Sequence, residues 1–97
     1  NIEVKDGIYL GLQGPTFETL AEYKMVTNVG ADCVGMSTVP EVIVAKHMNM
    51  NCFGISVMTD IGNEESTDTI THAEVHEAAK KAEPLVRNLI QELIKQY

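Results

Sequence analysis

Three threonines each stand three residues ahead of a glutamate at the head of a helical pattern: Thr19 before Glu22, Thr38 before Glu41, and Thr71 before Glu74. The spacing is that of a capping box, in which the hydroxyl accepts from the third helical N–H while the glutamate reaches back to the N–H of the cap. Each box predicts a helix start, and three fixed helix starts constrain everything between them. The segments ahead of the first two boxes are short and apolar. Residues 7–13 read as a strand that stops at the Gly14-Pro15 turn signal. Residues 31–36 read as a second strand, buried on both sides, that ends in the pair Ser37-Thr38.

The helices follow from apolar spacing. Leu20, Ala21, Met25, Val26 and Val29 recur at helical intervals and close on Gly30, a plausible left-handed C′ residue. A second helix is expected over residues 39–48, where Pro40 falls in the first turn and lacks an N–H that would have no intrahelical partner. Residues 51–59 are again apolar and read as a third strand, and the polar, acidic stretch 60–69 reads as a loop. After Thr71, the residues Val75, Ala78, Ala79, Ala82, Val86, Leu89, Ile90, Leu93 and Tyr97 fall on one helical stripe. Pro84 lies inside that stripe and is expected to kink or divide the helix. Strands separated by helices in this way imply an α/β fold: a parallel βαβαβ portion with right-handed crossovers, followed by a long C-terminal helix.

Composition narrows the partners. Fourteen acidic against seven basic residues leave a net charge of −7, without the basic stripe that nucleic acid or an anionic membrane surface would require. No apolar run approaches the roughly 20 residues that span a bilayer, and no signal-peptide pattern opens the chain, so a cytoplasmic protein is expected. Its first residue is Asn1, not methionine, and the 97 residues read as one domain or part of one. Cys33 and Cys52 lie in apolar runs and read as reduced, packed thiols. His47 and His76 have no partner at metal-ligand spacing, and no metal is expected.

In an open parallel sheet, ligands collect outside the C-terminal ends of the strands. Here those ends are residues 13–18, 36–38 and 59–60, and all three are polar. Each residue also has a local reading. Ser37 and Thr38 serve as caps, Glu18 as an acid near a helix start, Asp60 as a turn former, and His72 as a surface residue of a first turn.

Three motifs in fixed order carry more than their members do: Gly14-Pro-Thr-Phe-Glu-Thr19, the run Gly30–His47 containing Gly-Met-Ser-Thr-Val-Pro-Glu, and Phe53-Gly-Ile-Ser-Val-Met-Thr-Asp60. Together they resemble the C-terminal part of the trimeric purine nucleoside phosphorylases, within the nucleoside phosphorylase family. The resemblance covers nearly the whole chain, and it implies that the N-terminal two thirds of a longer polypeptide are absent. It implies reversible phosphorolysis of purine (2′-deoxy)ribonucleosides to free purine and (2-deoxy)ribose 1-phosphate, in purine salvage. Phosphate is then a co-substrate, and no cofactor is needed. A homotrimer is implied too.

Carried over by motif, Glu18 corresponds to the glutamate that accepts from purine N1–H, and Asp60 to the residue at N7 and the 6-substituent. Phe17, Val34 and Gly35 would line the base pocket, and Thr59 flanks Asp60. Met36 and Tyr9 would lie beside the ribose, His72 would reach the 5′-hydroxyl, and Ser37 would help hold phosphate. Members that prefer 6-oxopurines commonly carry asparagine where this chain has Asp60. An ionised aspartate only accepts, whereas a neutral one could donate to N7, a form that burial beside an apolar wall would favour. The methylthioadenosine phosphorylases, which carry aspartate there, are therefore an alternative, although they usually lack a counterpart of Glu18 and have Met-Thr-Thr in place of Met36-Ser37-Thr38. A further alternative is a non-catalytic purine-binding fragment of a cleaved enzyme, because the rest of the phosphate site has no counterpart here. The isolated chain is expected to be inactive.

Overall fold

A computed structural model describes residues 4–62 and 70–97. Its elements in chain order are β1 (Tyr9–Gly11), α1 (Leu20–Asn28), β2 (Cys33–Gly35), α2 (Thr38–His47) and α3 (His72–Ile94). The described residues fall into two compact units, one built on Lys5–Ser56 and the other on Val57–Ile61 with α3. Part of the loop expected over 60–69, residues 63–69, lies outside the described residues.

In the first unit β1 and β2 pair in parallel, with Tyr9 opposite Cys33, Leu10 opposite Val34 and Gly11 opposite Gly35. A parallel pair needs a crossover, and α1 supplies it, as the first capping box predicts. Thr19 Oγ1 accepts the Glu22 N–H at 3.3 Å, and the Glu22 carboxylate accepts the Thr19 N–H at 2.7 Å. At the other end Gly30 has φ +79°, the Ala31 N–H donates to the Val26 carbonyl, and the Gly30 N–H donates to that of Thr27. This is a Schellman closure, and Gly30 provides its left-handed residue. Among the described residues only Val26 is buried, at 7% exposure. β2 is half-buried throughout, not covered on both sides.

Helix α2 departs from expectation at its start. Thr38 is already helical and Ser37 is the N-cap, but Ser37 itself has right-handed backbone (φ −102°, ψ −31°) and makes no side-chain cap bond. The Thr38–Glu41 box therefore does not form. The Glu41 N–H reaches the Ser37 carbonyl at 3.3 Å instead, one residue earlier than the sequence spacing suggests. Beyond His47 and the cap Met48 the chain turns at Asn49, whose φ is +58°, in the same closure that Gly30 makes for α1. Asparagine tolerates that region better than other non-glycine residues.

The expected third strand over 51–59 is not formed: these residues join no ladder, and Phe53 is 65% exposed. The two-stranded sheet has no third member among the described residues. An apolar run becomes a strand only where a neighbour accepts from its N–H groups and donates to its C=O groups.

In the second unit α3 starts on the predicted box. Thr71 Oγ1 accepts the Glu74 N–H at 3.4 Å, and Glu74 accepts the Thr71 N–H at 2.8 Å. Pro84 does not divide the helix, which runs unbroken to Ile94. Its half-buried residues are Val75, Ala78, Ala82, Val86, Leu89 and Leu93, an amphipathic stripe that keeps step on both sides of the proline. Ion pairs one turn apart, Glu77–Lys81 at 3.0 Å and Glu83–Arg87, lie on its exposed surface. No helix among the described residues is long and apolar enough to cross a membrane.

Candidate active site

The strand register decides which side chains share a face. Because successive strand residues alternate, Tyr9, Gly11, Cys33 and Gly35 point to one side, and Leu10 and Val34 to the other. Tyr9 leans diagonally across the ladder onto Gly35. A Cβ at Gly35 would overlap the tyrosine hydroxyl and lie 3.0 Å from Cζ. Gly11, directly opposite Gly35, lies beneath Val39 of α2. A Cβ there would come within 2.8 Å of Cγ2 and 3.0 Å of Cβ. Two facing glycines thus let a phenol ring and the first turn of a helix settle onto the C-terminal end of the sheet. The Val34 side chain is directed to the opposite face from that of Tyr9, so these two side chains do not converge.

The loop after β1 carries the next candidates. Gly14 has φ +67°, is followed by a cis bond to Pro15, and packs against the thioether of Met36. An L residue at Gly14 would be strained by its backbone alone and would also displace Met36. Phe17 is 37% exposed and Glu18 is half-buried immediately before the Thr19 cap. The structure therefore brings Met36 onto the loop that holds Phe17 and Glu18. Ser37 is exposed at the start of α2, and its hydroxyl is not used as a cap.

In the other unit the Thr59 hydroxyl donates to Asp60 Oδ1 at 3.1 Å. Asp60 is exposed, so the burial beside an apolar wall expected for it is not present here. His72 is the first residue of α3, also exposed. Among the described residues no three histidine, cysteine, aspartate or glutamate side chains gather as a metal site would require.

Residues 1–95 match the phosphorylase superfamily. The chain belongs to that superfamily. It is 51% identical over 82 residues to a purine nucleoside phosphorylase of Bos taurus, a match that covers 82% of this chain and 28% of the bovine protein. It is 38% identical over 97 residues to purine nucleoside phosphorylase 1 of Bacillus subtilis, covering 100% of this chain and 36% of that one. A crystal structure of a Schistosoma purine nucleoside phosphorylase in complex with hypoxanthine superposes with a TM-score of 0.85 at 37% identity, covering 91% of this chain and 32% of that one. The chain thus spans about a third of the length of the relatives it matches.

Within this superfamily member, sequence reasoning missed Gly11 and Gly14 as residues that shape the strand ends. The signal was available for Gly11: a glycine inside a strand pattern marks a close approach of another group. For Gly14 the Gly-Pro pair announced a turn, but not that a side chain 22 positions further along would rest on it. The left-handed Asn49 had no distinguishing sequence context.

Proposed function

We propose that the protein acts as a purine nucleoside phosphorylase, a pentosyltransferase that cleaves purine (2′-deoxy)ribonucleosides with phosphate, and that this chain is part of its single domain. The observation that carries the reading is the 51% identity to the bovine phosphorylase across 82 residues. A phosphate oxygen attacks C1′, the C–N bond breaks, and its electron pair leaves with the purine. Stabilising the developing purine anion is then the main task of the protein.

In this reading Glu18 accepts from N1–H and Asp60 faces N7 and the 6-substituent, with Thr59 holding one carboxylate oxygen. Phe17, Val34 and Gly35 line the base. Tyr9 and Met36 meet the ribose, His72 the 5′-hydroxyl, and Ser37 the phosphate. The Ser37 hydroxyl, unused as a cap, has the donor that such a role needs. Phosphate is the co-substrate and no cofactor takes part. The protein works as a homotrimer in cytoplasmic purine salvage, with neither nucleic acid nor membrane as partner.

The test is base release from inosine by the full polypeptide that contains this chain. Hypoxanthine is expected only when phosphate is supplied, and release without phosphate would identify a hydrolase. Asp60 favours one second reading, a methylthioadenosine phosphorylase. A phosphate-dependent rate far higher with methylthioadenosine than with inosine would select it. Residues 1–97 alone are expected to be inactive, a non-catalytic piece that holds the base and ribose contacts, and phosphorolysis by them would overturn that view.

A further inference from the structure

We infer that Gly35 is a positioning residue for Tyr9: its missing Cβ is the seat of the tyrosine phenol, and the sugar contact of Tyr9 depends on that seat. This rests on the phosphorolysis reading, and it gives Gly35 a task other than lining the base.

The geometry is specific to this pair. Tyr9 stands opposite Cys33, so Gly35 is its diagonal neighbour on the same face of the ladder, within reach of a long aromatic side chain. A Cβ at Gly35 would meet the hydroxyl first, then Cζ at 3.0 Å and Cε2 at 3.5 Å. All three atoms belong to a rigid ring that has only two side-chain torsions with which to escape. The neighbouring glycine offers no alternative seat, because the position over Gly11 is filled by Val39. Gly35, unlike Gly14 and Gly30, has no positive φ, so alanine is compatible with its backbone. The methyl group would therefore act on the ring and not on the strand. The displaced phenol would leave the C-terminal end of the sheet, two residues from Ser37, where the ribose is proposed to lie.

The experiment compares wild type, Gly35→Ala, Tyr9→Ala and the double variant in the full polypeptide, with inosine and phosphate as substrates. Gly35→Ala is expected to raise KM for inosine about tenfold, as displacement of a substrate-positioning group does, while KM for phosphate and the melting temperature stay near wild type. In the Tyr9→Ala background the same substitution should change KM for inosine less than about twofold, because the ring it displaces is gone. Equal losses in both backgrounds, or a fall in melting temperature with both KM values unchanged, would overturn the inference. If Tyr9→Ala does not fold, Tyr9→Phe replaces it; removing the hydroxyl should recover part of the Gly35→Ala loss, and no recovery counts against the seat. The Tyr9 ring resonances, assigned by their absence in Tyr9→Phe, test the seat without any activity. They should shift in Gly35→Ala, and unmoved signals would overturn the inference even if the wild type proves inactive toward inosine, a result that would instead sink the phosphorolysis reading.

Discussion

The Asp32 carboxylate accepts the Ile8 N–H at 2.7 Å, and the Asp32 N–H donates back to the Ile8 carbonyl at 2.9 Å. This reciprocal pair ties the residue entering β2 to the residue entering β1, one step before the rung that joins Tyr9 to Cys33. The ladder is three residues long, and a slip of one residue would turn every side chain of a strand to the other face. Tyr9 would then lose Gly35 and Val39 would lose Gly11. An exposed aspartate at the edge of the sheet, together with the Leu12 N–H that donates to the Gly35 carbonyl at 2.9 Å, thus supports the register that places each glycine beneath its side chain.

Asp32→Ala is accordingly expected to cost about 1 kcal/mol of stability, the usual worth of one side-chain acceptor for a backbone N–H. Hydrogen exchange at the Ile8 amide should accelerate at the same time. Asp32→Asn keeps an acceptor and should lose less. Urea denaturation of the two variants checks the ordering, and an unaltered midpoint in Asp32→Ala would show that the ladder holds its register by other means.

The two capping boxes make the helix starts sensitive to acid. Backbone and side-chain hydrogen bonds from Thr19 hold the Glu22 carboxyl below its ordinary value of 4.5, and those from Thr71 do the same for Glu74. A carboxylate with a depressed folded-state pKa stabilises above its unfolded value and loses that contribution as pH falls through the folded one. The starts of α1 and α3 should therefore fray as the solution is taken below about pH 4.5, seen as falling helical circular dichroism. Glu22→Gln with Glu74→Gln keeps an acceptor at both boxes without a titrating group, and should flatten that part of the acid profile. A profile identical to wild type would exclude the boxes as its source.

Those same boxes show what was legible in the sequence. Thr19 and Thr71 capped as read because each is itself in extended backbone, which turns the hydroxyl toward the third N–H. Thr38 had the same spacing but follows another residue able to begin a helix, and the backbone bond from Glu41 to Ser37 took precedence. Pro84 removed one backbone bond from a helix of 23 residues without breaking it, because the apolar stripe continues on both sides. The stretch 51–59 was correctly apolar but wrongly a strand, since apolarity is written in the residues and pairing depends on an available edge. The family was legible in the motifs, whereas the contacts among their residues were not. That Gly35 receives Tyr9 and Gly14 receives Met36 depends on register and loop path, which no local pattern encodes.

Glu18→Ala in the full polypeptide should remove the acceptor proposed for purine N1–H. A loss of about 2–4 kcal/mol of transition-state stabilisation is expected, comparable to removal of one aligned partner of a developing charge. The readout is kcat/KM for inosine. Glu18→Gln retains a carbonyl oxygen but not the charge, and should fall between wild type and alanine. A near-wild-type rate in Glu18→Ala would remove this residue from the site.

Asp60→Asn tests the 6-substituent, and Thr59 gives the test its direction. The Thr59 hydroxyl donates to Oδ1 of Asp60, so an asparagine at this position would keep its carbonyl oxygen toward Thr59 and turn its NH2 group outward. That orientation presents a donor to N7 and to the 6-oxo group of inosine, where a carboxylate lacks the NH2 group to do so. The ratio of kcat/KM for inosine over adenosine should therefore rise about tenfold, the effect of converting one unfavourable polar contact into a hydrogen bond. Adding Thr59→Val removes the donor that orients the amide and should reduce the gain. If Asp60→Asn leaves the ratio unchanged, Asp60 does not discriminate between 6-oxo and 6-amino purines; if it changes the ratio but Thr59→Val has no further effect, the amide is oriented by the base itself.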